Sequence, residues 1–220
     1  MELPLFAFTR LILLLTCLTG CLGPAKTAAL TQYQTKSLSA RDTIEPLEDM
    51  NVTKPANMPT TGSATFHGAG RLVIDPDANH TSDDIRLVGD STLTADFGKG
   101  RVTGSLTNLS GVTDVSTVDA TPLQAHGEIS LGDGLSGIGN DRDGQITDRA
   151  NEWYADYGGQ LTFQGETILL GGIIVGDFRG NRTDPIDGQT AVKGMVGYDR
   201  DGTATLNGQP VSVTLVVSGE

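Results

Sequence analysis

The sequence predicts an all-β protein: a single small antiparallel β-barrel of about eight strands, preceded by a signal peptide and a flexible tether. Apolar residues alternate with polar ones in short segments between residues 59 and 220. Turn-forming residues separate those segments. The chain also has 29 glycines, and those inside predicted strands mark the bends and close backbone approaches that a closed barrel needs.

Residues 1–20 have the pattern of a secretory signal peptide. Arg10 supplies a positive charge, an apolar core covers residues 11–18, and small residues follow. The four residues LTGC, which end at Cys21, resemble a bacterial lipobox, in which the cysteine is acylated and cleavage falls before it. We therefore expect a lipid anchor at Cys21, with an ordinary signal peptide cut nearby as the alternative. Leu22, where inner-membrane lipoproteins of this kind tend to carry Asp, favours the outer membrane.

Residues 21–58 are predicted to form the tether behind the lipidated cysteine. They are rich in Thr, Ala, Ser, Gln and Pro, without a sustained apolar period, which indicates a mostly disordered arm with a helical turn near residues 43–50. A flexible coil of this length spans roughly 35 Å, enough to lift a domain off a membrane. A strand that docks on the barrel is the alternative.

The barrel domain is predicted to cover residues 59–220. Its strands are expected at residues 63–74, 85–97, 101–109, 124–131, 160–163, 167–178, 189–198, 203–206 and 211–217. Tight turns are expected at residues 98–100, 164–166, 201–202 and 207–208. Both cysteines, Cys17 and Cys21, precede this domain, so we expect it to fold without a disulfide.

The strand pattern also predicts which side chains face the barrel interior. The expected inward sets are Leu93, Ala95 and Phe97; Val102, Gly104 and Leu106; Ala125, Gly127, Ile129 and Leu131; and Val211, Val213, Leu215 and Val217. Many inward positions are Gly or Ala. This predicts a narrow lumen filled by side chains.

Residues 132–158 form a long polar excursion between predicted strands. Thr147 is placed to cap a short helix that ends at Tyr157. On that helix Trp153 and Tyr157 would share a face, with Tyr154 beside them. This aromatic cluster is predicted either to plug one barrel mouth or to form an exposed anchor for a protein partner.

The same excursion resembles part of a calcium loop. Asp141 and Asp143 fall at the third and fifth loop positions, but Gly139 and Ala150 stand where the first and twelfth ligands belong. An Asx-rich loop without metal is therefore the preferred interpretation, with Asp141 and Asp143 as the candidate ligands otherwise.

Catalytic and cofactor patterns are lacking elsewhere in the sequence. The GDGLSG run at residues 132–137 matches a dinucleotide fingerprint, but no helix begins after it. The three histidines show no metal-ligand spacing, and no nucleophile–base pair can be named. We expect neither an enzyme nor a cofactor. The net charge of −12 argues against a nucleic-acid partner.

A family resemblance is carried by short glycine motifs. Gly176, Phe178 and Gly180 form G-x-F-x-G, followed by a loop and a Gly-rich strand, and the runs ATFHG, LTADFG and VTGSL precede them at residues 64–68, 93–98 and 102–106. This arrangement resembles the small β-barrel of bacterial transferrin-binding protein B, and the factor H-binding surface lipoproteins have a similar barrel. The resemblance covers residues 59–220 and implies a cell-surface location with a host-protein or nutrient-carrier partner.

The expected function is that of a lipoprotein on the surface of the outer membrane whose barrel and loops bind a protein or solute partner. Recognition is expected in the loops, because a rigid scaffold leaves binding to its connections. Two alternatives remain open. One is a lipocalin-like carrier of a small apolar ligand, and the other is a structural envelope lipoprotein.

Overall fold

A computed structural model of the chain describes residues 24–77, 83–113, 123–139, 150–180 and 192–220, with side chains from residue 33 onward. Helix α1 spans Pro24–Asp49, and a 3-10 turn spans Pro55–Asn57. The strands are β1 (Ser63–Asp75), β2 (Ile85–Asp96), β3 (Arg101–Thr113), β4 (Leu123–Gln124), β5 (His126–Ile138), β6 (Glu152–Phe163), β7 (Glu166–Arg179), β8 (Gly194–Asp199), β9 (Thr203–Leu206) and β10 (Gln209–Gly219). Within the described residues no helix is long and apolar enough to cross a bilayer.

Eight strands close into an antiparallel barrel. They follow one another in the order β1, β2, β3, β5, β6, β7, β8 and β10, and β10 pairs back onto β1. Two short strands are additional: β4 pairs with β3, and β9 pairs with both β7 and β10. The predicted all-β barrel of about eight strands is confirmed. Closure gives each wall strand a partner on both sides, which removes the exposed edges of an open sheet.

Strands β8 and β9 share one position in the barrel wall. Both lie between β7 and β10. Strand β8 pairs with the second half of β7 and the end of β10, and β9 pairs with the first half of β7 and the start of β10. The sequence predicts a turn at residues 201–202. The chain bends there and continues in the same direction, so the turn prediction is corrected to a break within one wall strand. The hairpin turn predicted at residues 207–208 is present between β9 and β10.

The barrel interior is packed with apolar side chains from every wall strand. The predicted inward residues Leu93, Val102, Leu106, Ile129 and Leu215 are all 0% exposed. The largest fully buried side chains are Trp153, Phe163 and Phe178. Alternate positions on each strand supply these side chains, as the period of two predicts.

The helix predicted to end at Tyr157 is wrong. Residues 152–163 form strand β6, which pairs with β5 on one side and β7 on the other. Trp153, Ala155 and Tyr157 alternate with Tyr154 and Asp156, so the segment has the strand period of two. Aromatic residues also favour strands. The spacing of four between Trp153 and Tyr157 also fits a helix. The hydrogen bonds of β6 with both β5 and β7 favour the strand instead.

Residues 24–49 differ from the disordered arm expected over residues 21–58. They form helix α1, and the helical turn expected near residues 43–50 is its last part. Ala40, Ile44 and Leu47 are at most 1% exposed and lie on one helix face at spacings of four and three. Three apolar residues make a narrow stripe, which explains why no sustained period is visible in the sequence.

Helix α1 lies against the outside of the barrel wall. It contacts β1, β2, β8 and β10. Ala40 and Ile44 pack with Ala69 and Val88 in a second apolar cluster, separate from the barrel core. The outer wall under α1 is therefore apolar, and the helix removes it from water.

The two ends of the barrel differ in the connections that they carry. The upper end carries the β2–β3 turn at residues 97–100 and the last residue of β7, Arg179. The lower end carries the β6–β7 turn at residues 164–165 and the β9–β10 turn at residues 207–208. Arg179 contacts the carboxyl end of α1. Lys36, nearer the amino end, donates to the carbonyl of Asn108 in the lower half of β3. The helix therefore runs from the lower end to the upper end.

Candidate functional site

The segment GDFRG, which carries the family resemblance, occupies the end of β7 and uses its two faces differently. Phe178 points inward, and its ring centroid lies 5.5 Å from that of Phe97. At Gly176 a Cβ would overlap the Val196 carbonyl oxygen and would lie 2.7 Å from the Trp153 ring. No real Cβ tolerates those contacts, so glycine at residue 176 is required by the close approach of β8 and by the packing of Trp153.

Arg179, on the outward face, ties β7 to the end of helix α1. Its guanidinium donates to the carbonyls of Glu48 at 3.4 Å and Met50 at 3.1 Å. It also pairs with Asp177 at 2.9 Å, and its side chain is 14% exposed. The last carbonyls of a helix lack partners within the helix and carry the negative end of its dipole. A cation held there caps the helix.

Tyr198 of β8 makes a second contact with the same helix end. Its hydroxyl donates to Glu48 Oε1 at 2.6 Å. Burial first, and then the Glu48 carboxylate, raise the pKa of Tyr198. At Gly194 a Cβ would lie 2.5 Å from the Gly219 carbonyl oxygen and 2.6 Å from the Leu47 side chain, so glycine accommodates both β10 and the helix. We call Glu48, Asp177, Arg179 and Tyr198 the helix clamp.

The chain that follows α1 is also held at the upper end. The Thr53 amide donates to the Phe178 carbonyl at 2.8 Å, and the Gly180 amide donates to Asn51 at 3.0 Å. Asn151 Nδ2 donates to the Thr53 carbonyl at 2.6 Å. These bonds extend the pairing of β7 beyond the barrel wall, and they fix the exit of α1 beside the clamp.

The predicted aromatic cluster is distributed over both faces of β6. Trp153 and Tyr157 point into the barrel, and Tyr154 points outward beside Gly137. Their exposed fractions are 0%, 5% and 4%. Trp153 and Tyr157 occupy the barrel interior and Tyr154 is covered on the outer face, so the burial of all three rings speaks against the exposed anchor.

Tyr157 and Asp199 form a polar pair inside the barrel at the β8–β9 break. The Tyr157 hydroxyl donates to Asp199 Oδ1 at 3.0 Å. Burial raises the pKa of Asp199, although this hydrogen bond and the amides of Arg200 and Gly202 oppose the shift. Burial and the Asp199 charge raise the pKa of Tyr157 as well. The pair supplies hydrogen bonds where the wall ladder is interrupted.

Carboxylates gather at the lower end of β1 and β2. Oxygen atoms of Asp75, Asp83 and Asp84 lie within 4.8 Å of one another, the spacing of a possible metal site. Asp84 already pairs with Arg86 at 3.1 Å. Local sequence patterns do not predict this group, because Asp75 lies eight positions before Asp83, although the runs DPD and SDD at residues 75–77 and 82–84 are a signal for it. Asp141 and Asp143, the predicted candidate ligands, lie outside the described residues, as does Cys21.

Two surface clefts lie outside the barrel wall. One of about 610 Å³ is lined by Asp42, Glu45, Pro46, Asp49 and Met50 beside the end of α1. The other, of about 320 Å³, is lined by β7 and β9 near the lower end. The histidines at residues 67 and 126 are exposed on outward positions, as predicted. His80 lies outside the described residues.

Comparisons of this chain with protein-family models, with curated proteins and with solved structures found no match. The resemblance to transferrin-binding protein B therefore stays a prediction.

Proposed function

We propose that this chain is a surface lipoprotein of the outer membrane, anchored through Cys21, whose barrel is a scaffold for binding a protein or solute partner. The packed barrel interior is the observation that carries the scaffold part of this proposal. Core side chains from all wall strands fill the lumen at 0–8% exposure. Recognition then belongs to the outer wall and to the connections at the two ends.

The packed interior also favours the scaffold over a lipocalin-like carrier. A carrier needs a lumen that admits a ligand, and an eight-stranded barrel is only just wide enough for its own side chains. Here Trp153, Phe163 and Phe178 occupy that space. Native mass spectrometry of the purified protein tests this point, because a co-purified small apolar molecule would support the carrier instead.

The anchor part of the proposal rests on the leader and its LTGC sequence. Several acyl chains on one cysteine give firm membrane attachment, at about 0.8 kcal/mol for each buried methylene. A Cys21→Ser variant should lose incorporation of labelled fatty acid and should appear in the soluble fraction. Unchanged membrane retention of this variant would contradict the lipid anchor.

Partner binding is tested by capture on intact cells. Cells with the wild-type protein should retain a soluble protein or solute that cells with Cys21→Ser do not retain. The purified variant should still bind that molecule in solution. Absence of capture by both forms would favour the structural envelope lipoprotein. The predictions that the protein is not an enzyme and has no nucleic-acid partner belong to this same proposal.

A further inference from the structure

Helix α1 connects the proposed anchor at Cys21 to the barrel. Only two residues, Leu22 and Gly23, separate Cys21 from Pro24, the first residue of the helix. The three steps from Cys21 to Pro24 span at most about 11 Å. Since α1 packs on the barrel wall, the direction of α1 decides which end of the barrel lies near the lipid.

The direction of α1 is fixed by contacts near its carboxyl end and by contacts nearer its amino end. At its carboxyl end the helix clamp holds Glu48 against Arg179 and Tyr198, at the upper end of the barrel. Toward its amino end, Tyr33 packs on the outer apolar cluster. Arg86 is the second residue of β2. Its charge lies close enough to Tyr33 to oppose the rise that burial causes in the pKa of Tyr33. Arg86 lies at the lower end.

The remaining helix continues past the lower half of the barrel. Tyr33 lies nine positions after Pro24, which is about 14 Å of helix at 1.5 Å per residue. They carry the chain toward the lower end, away from the clamp. The proposed lipid therefore attaches on the lower side of the barrel.

We propose that α1 is a rigid stalk that sets one orientation of the barrel on the membrane. The lower end, with the β6–β7 and β9–β10 turns, faces the lipid. The upper end, with the β2–β3 turn and the helix clamp, faces outward and meets the partner. This inference rests on the proposed anchor at Cys21, and it replaces the freely swinging domain that a flexible tether would give.

The orientation can be measured with the full lipidated chain in vesicles of phosphatidylethanolamine and phosphatidylglycerol that carry a headgroup quencher. Gln209→Cys at the lower end and Lys99→Cys at the upper end each provide one exposed dye position. The two ends are separated by about 12 strand residues, or roughly 30 Å along a tilted barrel. Quenching should be at least about twofold stronger at residue 209 than at residue 99. Equal quenching, or stronger quenching at residue 99, would overturn the proposal.

Variants of α1 test whether the helix causes this difference. Ile44→Asp places a charge in the contact of α1 with the wall and should make quenching at the two positions equal. Leu38→Asp, at a helix residue that is 50% exposed, should leave the difference unchanged. Far-UV circular dichroism checks that the barrel is still folded in both variants. A difference that persists in folded Ile44→Asp would contradict the role of the stalk.

Failure of the anchor is distinguished by a separate readout. Incorporation of labelled fatty acid is measured on the same wild-type preparation before the quenching experiment. Absence of label would overturn both the anchor and the orientation, whereas labelled protein with equal quenching at residues 99 and 209 would overturn the orientation alone.

Discussion

Arg179 shows how a single side chain connects the barrel to the segment that precedes it. Its guanidinium meets two carbonyls at the end of α1 and the carboxylate of Asp177. Hydrogen bonds to a charged group contribute more to stability than neutral ones, and breaking them leaves buried groups unsatisfied.

Replacing Arg179 should release the end of α1. We expect Arg179→Met to lower the free energy of unfolding by about 2–3 kcal/mol, because two carbonyls and Asp177 lose a charged donor. Urea denaturation measures the loss, and limited proteolysis should show faster cleavage near residues 48–53. Arg101→Met, at an exposed arginine of the same end, is the matched control. Equal losses in the two variants would contradict the clamp.

Asp199 should make stability depend on pH in an unusual direction for a carboxylate. Burial raises its pKa in the folded protein above the unfolded value near 3.9. Its contribution to stability is therefore full below that unfolded value, and it is lost as the pH rises through the folded pKa. Asn in its place still accepts the Tyr157 hydroxyl but does not titrate.

The corresponding experiment compares wild type and Asp199→Asn from pH 3.5 to pH 8. The melting temperature of wild type should fall relative to that of the variant as the pH rises through this range. Asp133→Asn, at an exposed aspartate whose charge is not a cause of the Asp199 pKa shift, should follow wild type. A wild-type melting temperature that rises relative to Asp199→Asn would show that the ionised form is favoured by folding.

At the scale of elements, helix α1 and the β8–β9 wall strand both depend on their neighbours. The helix has only a narrow apolar stripe, and it is stable because Ala69, Val88 and Val216 of the barrel wall cover that stripe. The β8–β9 strand is interrupted, yet β7 and β10 hold its two halves in line. Neither element is expected to persist alone.

Docking of α1 should be lost by shortening its central side chain. Ile44→Ala removes buried apolar volume from a position that is 1% exposed, and we expect a loss of about 2–4 kcal/mol. Leu38→Ala, on the exposed side of the same helix, should change stability by less than about 0.5 kcal/mol. Chemical denaturation of both variants compares them directly. Equal effects would mean that α1 does not pack as described.

For the whole molecule, the central question is what fills the barrel. Trp153 is 0% exposed and packs against Gly176 and Gly197, where no larger residue fits. Glycine at residues 176 and 197 therefore leaves the space that the Trp153 ring fills.

Removing the Trp153 ring should destabilise the entire barrel. We expect Trp153→Ala to cost roughly 3–5 kcal/mol, from lost burial and the cavity left behind. Trp153→Phe should cost much less, because it keeps an aromatic ring and Nε1 of Trp153 has no hydrogen-bond partner among the described residues. Unfolding midpoints test both variants. A stable Trp153→Ala variant that had lost partner binding would instead restore the exposed-anchor interpretation.

Local sequence patterns predicted the barrel and most of its strands. Alternation with a period of two marks the inward face of β2, β3, β5 and β10 without knowledge of their partners, because each strand presents one face to the core. The glycine turns predicted the tight hairpins at residues 98–100 and 207–208. Leu93, Ile129 and Leu215 could be assigned to the core on this basis alone.

Tertiary structure decided the parts in which local signals are short or conflicting. Trp153 and Tyr157 fit either a helical spacing of four or a strand spacing of two, and pairing with β5 and β7 selected the strand. Ala40, Ile44 and Leu47 form too narrow a stripe to predict a helix, and the apolar outer wall of β1 and β2 supplied the missing contact. The helix clamp joins Glu48 of α1 to residues of β7 and β8 that lie more than 120 positions further along the chain. Such contacts follow from barrel closure, which brings distant strands side by side and leaves no trace in local periodicity.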